Sequence, residues 1–250
     1  MGTGQWAGLT AAPPPCYRHA FVDEQRKPHL LGFVARELGA YALHGALGVR
    51  RRGDVRPEAG PGPTVLFIHG HGGTGAAFHL LEKALARAGQ RRFAAWEYDA
   101  RGGLDDLAAR LADFARTVDG DLHVVAHSLG GILARIWLQE LGGRPRALSL
   151  TTLSTPHGGL AAVPGAALVP LVREIRAGSE VLARLEGSVS TLGDLPCLSL
   201  VSTRDHFVRP WQAAAFGSAR LVTVDHVGHV GVLFSRRVHG VVAEFLAEVR

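Results

Sequence analysis

The chain has 250 residues, 47% of them hydrophobic and 20% charged, which fits one large globular core and excludes a disordered or low-complexity chain. Its net charge of +5 is carried almost wholly by arginine, since only Lys27 and Lys83 are lysines. The arginines fall in short scattered clusters, such as Arg50–Arg51–Arg52, Arg91–Arg92 and Arg236–Arg237, and aromatics make up 7%, so nucleic acid is not expected as a partner.

Residues 1 to about 27 read as a tail in which Pro13–Pro14–Pro15 discourages regular structure. Ahead of those prolines there is no basic stretch and only weak apolar content, so no signal peptide is expected and a cytoplasmic location is the default. Residues 30–49, LLGFVARELGAYALHGALGV, are about long enough to span a bilayer, but Arg36, Glu37 and His44 interrupt them at a cost. The expectation is an amphipathic helix resting on the domain or on a membrane surface, which permits peripheral membrane contact. The stretch RRRGDVRPEAGPGP then reads as a linker, giving an N-terminal extension over residues 1–60 and a main domain over 61–250.

From Thr64 the pattern alternates between short apolar runs and helical periodicity. TVLFI predicts a strand, residues 76–89 a helix ending at Gly89, and FAAWEY a second strand. LDDLAARLADFARTV predicts a helix with Leu104, Leu107, Ala108, Leu111 and Phe114 on one face; DLHVVA is a third strand and ILARIWLQEL a helix closing at Gly142–Gly143. ALSLTTL, CLSLVS and ARLVTV are further strands, and a helix near 236–249 ends the chain. Continuous rather than alternating hydrophobicity in the strands predicts an α/β fold with a mostly parallel central sheet and helices on both faces. Ligands of such sheets sit beyond the carboxyl ends of the strands.

The segment 154–196, between the strands near 147–153 and 197–202, is the place for a small cap. Leu168, Leu171, Val172 and Ile175 recur there at helical spacing, with Arg173, Glu174 and Arg176 between them. Ordinary packing onto the core is the commoner meaning of such a stripe, and an apolar flap beside the site is the functional alternative.

Ser128 lies in VVAHSLGGILAR, directly after one predicted strand and before a helix. Ala126, Gly130 and Gly131 let the two approach closely, and such a turn projects a hydroxyl outward with helix N-terminal amides aimed at it. The plainer alternative is a helix-capping serine with glycines for packing. A nucleophilic serine needs a base and an orienting acid. Asp205 follows the CLSLVS strand, while His226 and His229 follow ARLVTV, all at the same sheet edge. His229, in a loop flanked by Gly228 and Gly231, is the better base; Asp225 and Asp194 are weaker acids for the role. The glycine-rich run FIHGHGGTGAAF offers backbone donors for an oxyanion, and the amides of His71 and Leu129 are the expected pair. The run lacks the ending of a phosphate loop and the spacing of a dinucleotide fingerprint.

Taken together, the HG-x-GG loop (His69 to Gly73), A-H-S-x-G-G (Ala126 to Gly131), S-T-P-H-G-G (Ser154 to Gly159), D-x-x-V-x-P (Asp205, Val208, Pro210) and the V-G-H segment (Val227 to His229) resemble the α/β-hydrolase superfamily, within it the bacterial lipase/esterase group with a small cap. The resemblance spans residues 64 to about 235 and departs from most members in having Ala126 where they carry glycine. It implies the α/β-hydrolase fold and a Ser128–Asp205–His229 triad with His71 and Leu129 as oxyanion donors. It also places His69, Gly70, His127, Pro156 and His157 in or behind the substrate pocket. The activity implied is hydrolysis of a small-molecule ester or lipid, with no cofactor and no metal. Cys16 and Cys197 have no metal spacing, and Cys197 reads as a small buried core residue.

Overall fold

The computed structural model describes residues 30–50, 53–57, 60–99, 101–160, 170–209 and 211–249. The predicted tail, Cys16, Leu168 and Pro210 lie outside these residues.

Six strands form one parallel sheet: β1 (Thr64–Ile68), β2 (Arg92–Trp96), β3 (Leu122–His127), β4 (Ala147–Leu153), β5 (Cys197–Ser202) and β6 (Arg220–Val224), in the spatial order β2-β1-β3-β4-β5-β6. Every residue of β1, β3 and β5 is buried. Continuous apolar runs require this, because helices cover both faces. On one face Leu66, Ile68, Val124, Ala126 and Leu150 pack with α3 (Leu104–Arg116), α4 (Leu129–Glu140) and α6 (Glu180–Gly187). On the other, Val65, Phe67, Val125, Leu200 and Val222 pack with α2 (His79–Arg87) and α7 (Arg236–Glu248).

The helix α1 (Leu30–Arg50) lies against that second face, beside the short turns Gly75–Phe78 and Gly231–Phe234. Ala40 and Glu37 point inward at 8% exposure each, whereas Val34, Leu38, Tyr41 and Leu43 are exposed. Among the described residues no helix is long and apolar enough to cross a membrane. After α1, Val55 exchanges two backbone hydrogen bonds of 2.9 Å with Ala95, which blunts the open edge of β2.

Strand register aligns the chemistry. Ile68 pairs with Ala126, His127 with Leu153, Leu153 with Leu200, and Ser202 with Val224. The loops that leave β1, β3, β4, β5 and β6 therefore emerge side by side at one edge. Between β4 and β5 the described residues include α5 (Pro170–Glu174) and α6, and Glu174 ties α5 to α3 by accepting the Leu104 N–H at 3.1 Å.

Candidate active site

The helix α4 begins at Leu129, three residues earlier than the periodicity predicts, so Ser128 is the single residue between strand and helix. It is held at φ 52 and ψ −122, a conformation that L side chains rarely adopt. Its neighbours enforce the turn: the Ser128 N–H donates to the Leu153 carbonyl at 2.9 Å, and the Thr155 hydroxyl donates to the Ser128 carbonyl at 3.0 Å. Close approach of α4 to β1 requires glycine at 130, where a Cβ would lie 2.4 Å from the Ile68 carbonyl oxygen.

Three of the predicted residues meet here. The Nε2 of His229 lies 3.0 Å from the Ser128 hydroxyl, and its Nδ1 lies 2.8 Å and 3.1 Å from the two carboxylate oxygens of Asp205. With Asp205 accepting at Nδ1, that nitrogen carries the proton and the Nε2 lone pair faces the serine. Asp205 is 1% exposed, and its Oδ1 also accepts the N–H groups of Phe207 and Val208 at 2.9 Å each. Burial raises its pKa, but the hydrogen bond from His229, the electrostatic attraction of that ring and the Val208 amide outweigh burial and hold the carboxyl below the usual range. Asp225 instead binds Thr203 and Arg204, and Asp194 pairs with Arg144 at the surface. Neither competes for the imidazole.

The expected donors stand beside this line. A Cβ on Gly70 would lie 3.0 Å from that of Ser128, and the Gly73 N–H closes a turn onto the Gly70 carbonyl at 3.0 Å. His71 and Leu129 both line the pocket at Ser128. The Leu129 amide heads α4, where first-turn amides have no partner within the helix.

The other predicted histidines support rather than face the cavity, except His127. Burial pushes the His127 pKa down to about 3, so the ring is neutral and its Nε2–H donates to the His229 carbonyl at 3.0 Å. His69, pushed down to about 4 by burial, donates from Nδ1 to the Gly70 carbonyl at 2.8 Å and stacks on Tyr98. His157 lies behind α4, where Arg135 donates to its Nδ1 at 3.4 Å and its Nε2–H donates to the Thr152 hydroxyl at 3.1 Å. Neither His157 nor Pro156 lines the pocket; the Pro156 carbonyl accepts the Gly159 N–H and closes the loop beneath it.

The pocket at Ser128 has a cavity of about 310 Å³. Leu160 and the stripe residues Leu171, Val172 and Ile175 form an apolar wall; Leu171 and Ile175 also belong to the core, as ordinary packing of the stripe expects. Tyr41 and His44 of α1, and Phe207, also line it. Sequence reasoning missed these three, together with Glu37. The only sign of α1's involvement was its polar interruptions, read as an obstacle to membrane insertion. Among the described residues no group of three or more His, Cys, Asp or Glu is placed to hold a metal ion.

Residues 65–186 match the model of the Alpha/beta hydrolase family. A comparison with curated proteins gives no match. Among solved structures the chain is similar to the mature Bacillus licheniformis lipase BlEst2, with a TM-score of 0.61 and 15% identity over 79% of this chain and 97% of that one. It is also similar to a monoacylglycerol lipase of Paleococcus ferrophilus, with a TM-score of 0.57 and 16% identity over 80% and 99% of the two chains. A bacterial membrane phospholipase A gives 0.56 and 16% over 89% and 93%. At these identities the likeness establishes the fold, and it agrees with the resemblance carried by the motifs.

Proposed function

The chain has the α/β-hydrolase fold, and on that framework we propose that it is a serine carboxylic-ester hydrolase acting on lipophilic esters. The observation that carries this reading is the hydrogen-bonded line Ser128–His229–Asp205, with steps of 3.0 Å and 2.8 Å, at the floor of an apolar pocket.

Ser128 attacks the ester carbonyl while His229 Nε2 takes the hydroxyl proton; Asp205 orients the ring and stabilises the imidazolium that forms. The amides of His71 and Leu129 hold the developing oxyanion. His229 then returns the proton to the leaving alcohol, and water, activated by the same imidazole, releases the acid from the acyl-enzyme. The wall of Leu160, Leu171, Val172 and Ile175 supports an acyl chain as the group bound beside Ser128.

Ser128→Ala is expected to lower p-nitrophenyl ester turnover by about three or more orders of magnitude. Near-normal turnover in that variant would sink the assignment. Hydrolysis of an amide, thioester or lactone would use the same three residues, so a panel of those bonds beside esters from acetate to long-chain triglyceride fixes the substrate class.

A further inference from the structure

The loop carrying His229 is held from two sides. On one, the His127 ring donates to the His229 carbonyl at 3.0 Å. On the other stands Glu37, whose Oε2 accepts the Gly228 N–H at 2.9 Å and whose Oε1 accepts the Val230 N–H at 3.0 Å. One carboxylate thus grips the amides immediately before and after the imidazole-bearing residue. Glu37 belongs to α1, 191 positions away from Gly228 in the chain, and is only 8% exposed.

The loop is shaped to admit this group. A Cβ on Gly228 would lie 2.3 Å from the Glu37 carboxyl carbon, and one on Gly231 would lie 2.8 Å from its Oε2. The two glycines flanking His229 therefore make room for a carboxylate delivered by a helix that precedes the matched family segment. A buried carboxylate is costly unless its oxygens are satisfied, and here each is spent on the loop backbone.

We propose that Glu37 is a positioning residue for the reaction of Ser128: by fixing the backbone on both sides of His229, it sets the imidazole at hydrogen-bonding distance from the hydroxyl. The inference rests on the serine-hydrolase reading. It makes α1 part of the reaction machinery, because proton transfer tolerates little displacement and an error near 1 Å costs about 100-fold in rate.

The test uses the full chain carrying Glu37→Gln, Glu37→Asp or Gly228→Ala, with Leu38→Ala as a control on the outer face of the same helix, where Leu38 is 64% exposed. Gln keeps the shape but sets an NH2 donor against one of the two amide donors. Gly228→Ala drives the carboxylate off from the other side. Each is expected to lower kcat for a short-chain p-nitrophenyl ester about 10- to 100-fold with KM unchanged, Asp falling between Gln and wild type and Leu38→Ala matching wild type.

A second readout needs no turnover. The His229 Nδ1 proton shared with Asp205 is expected to give a far-downfield proton NMR resonance in the wild type, broadened or lost in Glu37→Gln and in Gly228→Ala with the circular dichroism of the fold retained. Wild-type kcat in the folded Gln variant, or an unaltered resonance there, overturns the proposal, as does a wild type that shows no such resonance. A wild type inactive on every ester, with the resonance present and sensitive to Glu37, would instead refute the ester-hydrolase reading and leave the clamp standing.

Discussion

Ser128 sits in the positive-φ region with a side chain attached, a conformation that costs on the order of 1–3 kcal/mol and persists only when the surroundings impose it. Here the Leu153 carbonyl, the Thr155 hydroxyl and the first turn of α4 impose it. The strain aims the hydroxyl at His229 instead of burying it as a helix cap, and the Ser128 side chain makes no capping bond. Glycine adopts this conformation freely, whereas alanine retains the strain. Both lose the hydroxyl and its bond to His229, so comparing the two isolates the backbone. Ser128→Gly is expected to be about 1 kcal/mol more stable to urea than Ser128→Ala, with both inactive on esters. Equal midpoints would show that the turn stores no strain. Ser154 and His226 also have positive φ without being glycine, and they follow β4 and β6 as Ser128 follows β3. Among the described non-glycine residues, this conformation is confined to the edge where the loops converge.

At the level of elements, the proposed function gives the short helix α5 the part of deciding which acyl groups fit. Val172 is half-buried and faces the pocket, while Leu171 and Ile175 beside it anchor α5 to the core. Val172→Trp places an indole in a cavity of about 310 Å³ without removing either anchor. It is expected to raise KM for octanoyl and longer p-nitrophenyl esters by about 10-fold or more while acetate hydrolysis stays near wild type. An unchanged chain-length profile would remove α5 from the acyl site. This helix also marks where sequence periodicity stops being informative: an apolar stripe at helical spacing is the same string whether it meets core or cavity, and Leu171 meets both. The strands were legible to within a residue or two because both faces are buried and the runs are continuous, and so was the order in which the serine, aspartate and histidine loops follow them. The start of α4 was not, because Gly130 and Gly131 add nothing to an apolar periodicity that begins at Ile132, although their use in close approach, here against Ile68 and Thr155, was legible. Glu37 was illegible for a different reason. Its partners are backbone amides 191 and 193 positions away, and backbone donors leave no trace in residue identity.

Across the whole molecule, burial works against protonated histidine. His44, His69, His123, His127, His157, His206 and His239 all have their pKa lowered, with desolvation the largest cause in each. A folded-state pKa below the unfolded value of about 6.5 means that unfolding takes up protons once the pH falls below that value. Stability is therefore full above about pH 7 and is lost as the pH drops, until each folded-state pKa is passed. For His69, at about 4 in the folded chain, and His127, at about 3, the window is open throughout the range from pH 6.5 to 5. Each then removes about 2 kcal/mol by pH 5, at about 1.36 kcal/mol per pH unit once the unfolded imidazole is protonated. Asp205 acts in the same direction but later, since its depressed pKa withholds the loss until the pH nears the carboxylate range. Urea denaturation should show a midpoint that falls steeply between pH 7 and 5, and His127→Gln should flatten that dependence by about one proton's worth. A midpoint constant over this range would mean that these rings gain protons without unfolding. His69 directly follows β1 beside Gly70, and His127 ends β3 beside Ser128 and grips the backbone of His229. Two of the acid-sensitive rings thus sit where the site is assembled, so ester turnover should decline within the same pH window.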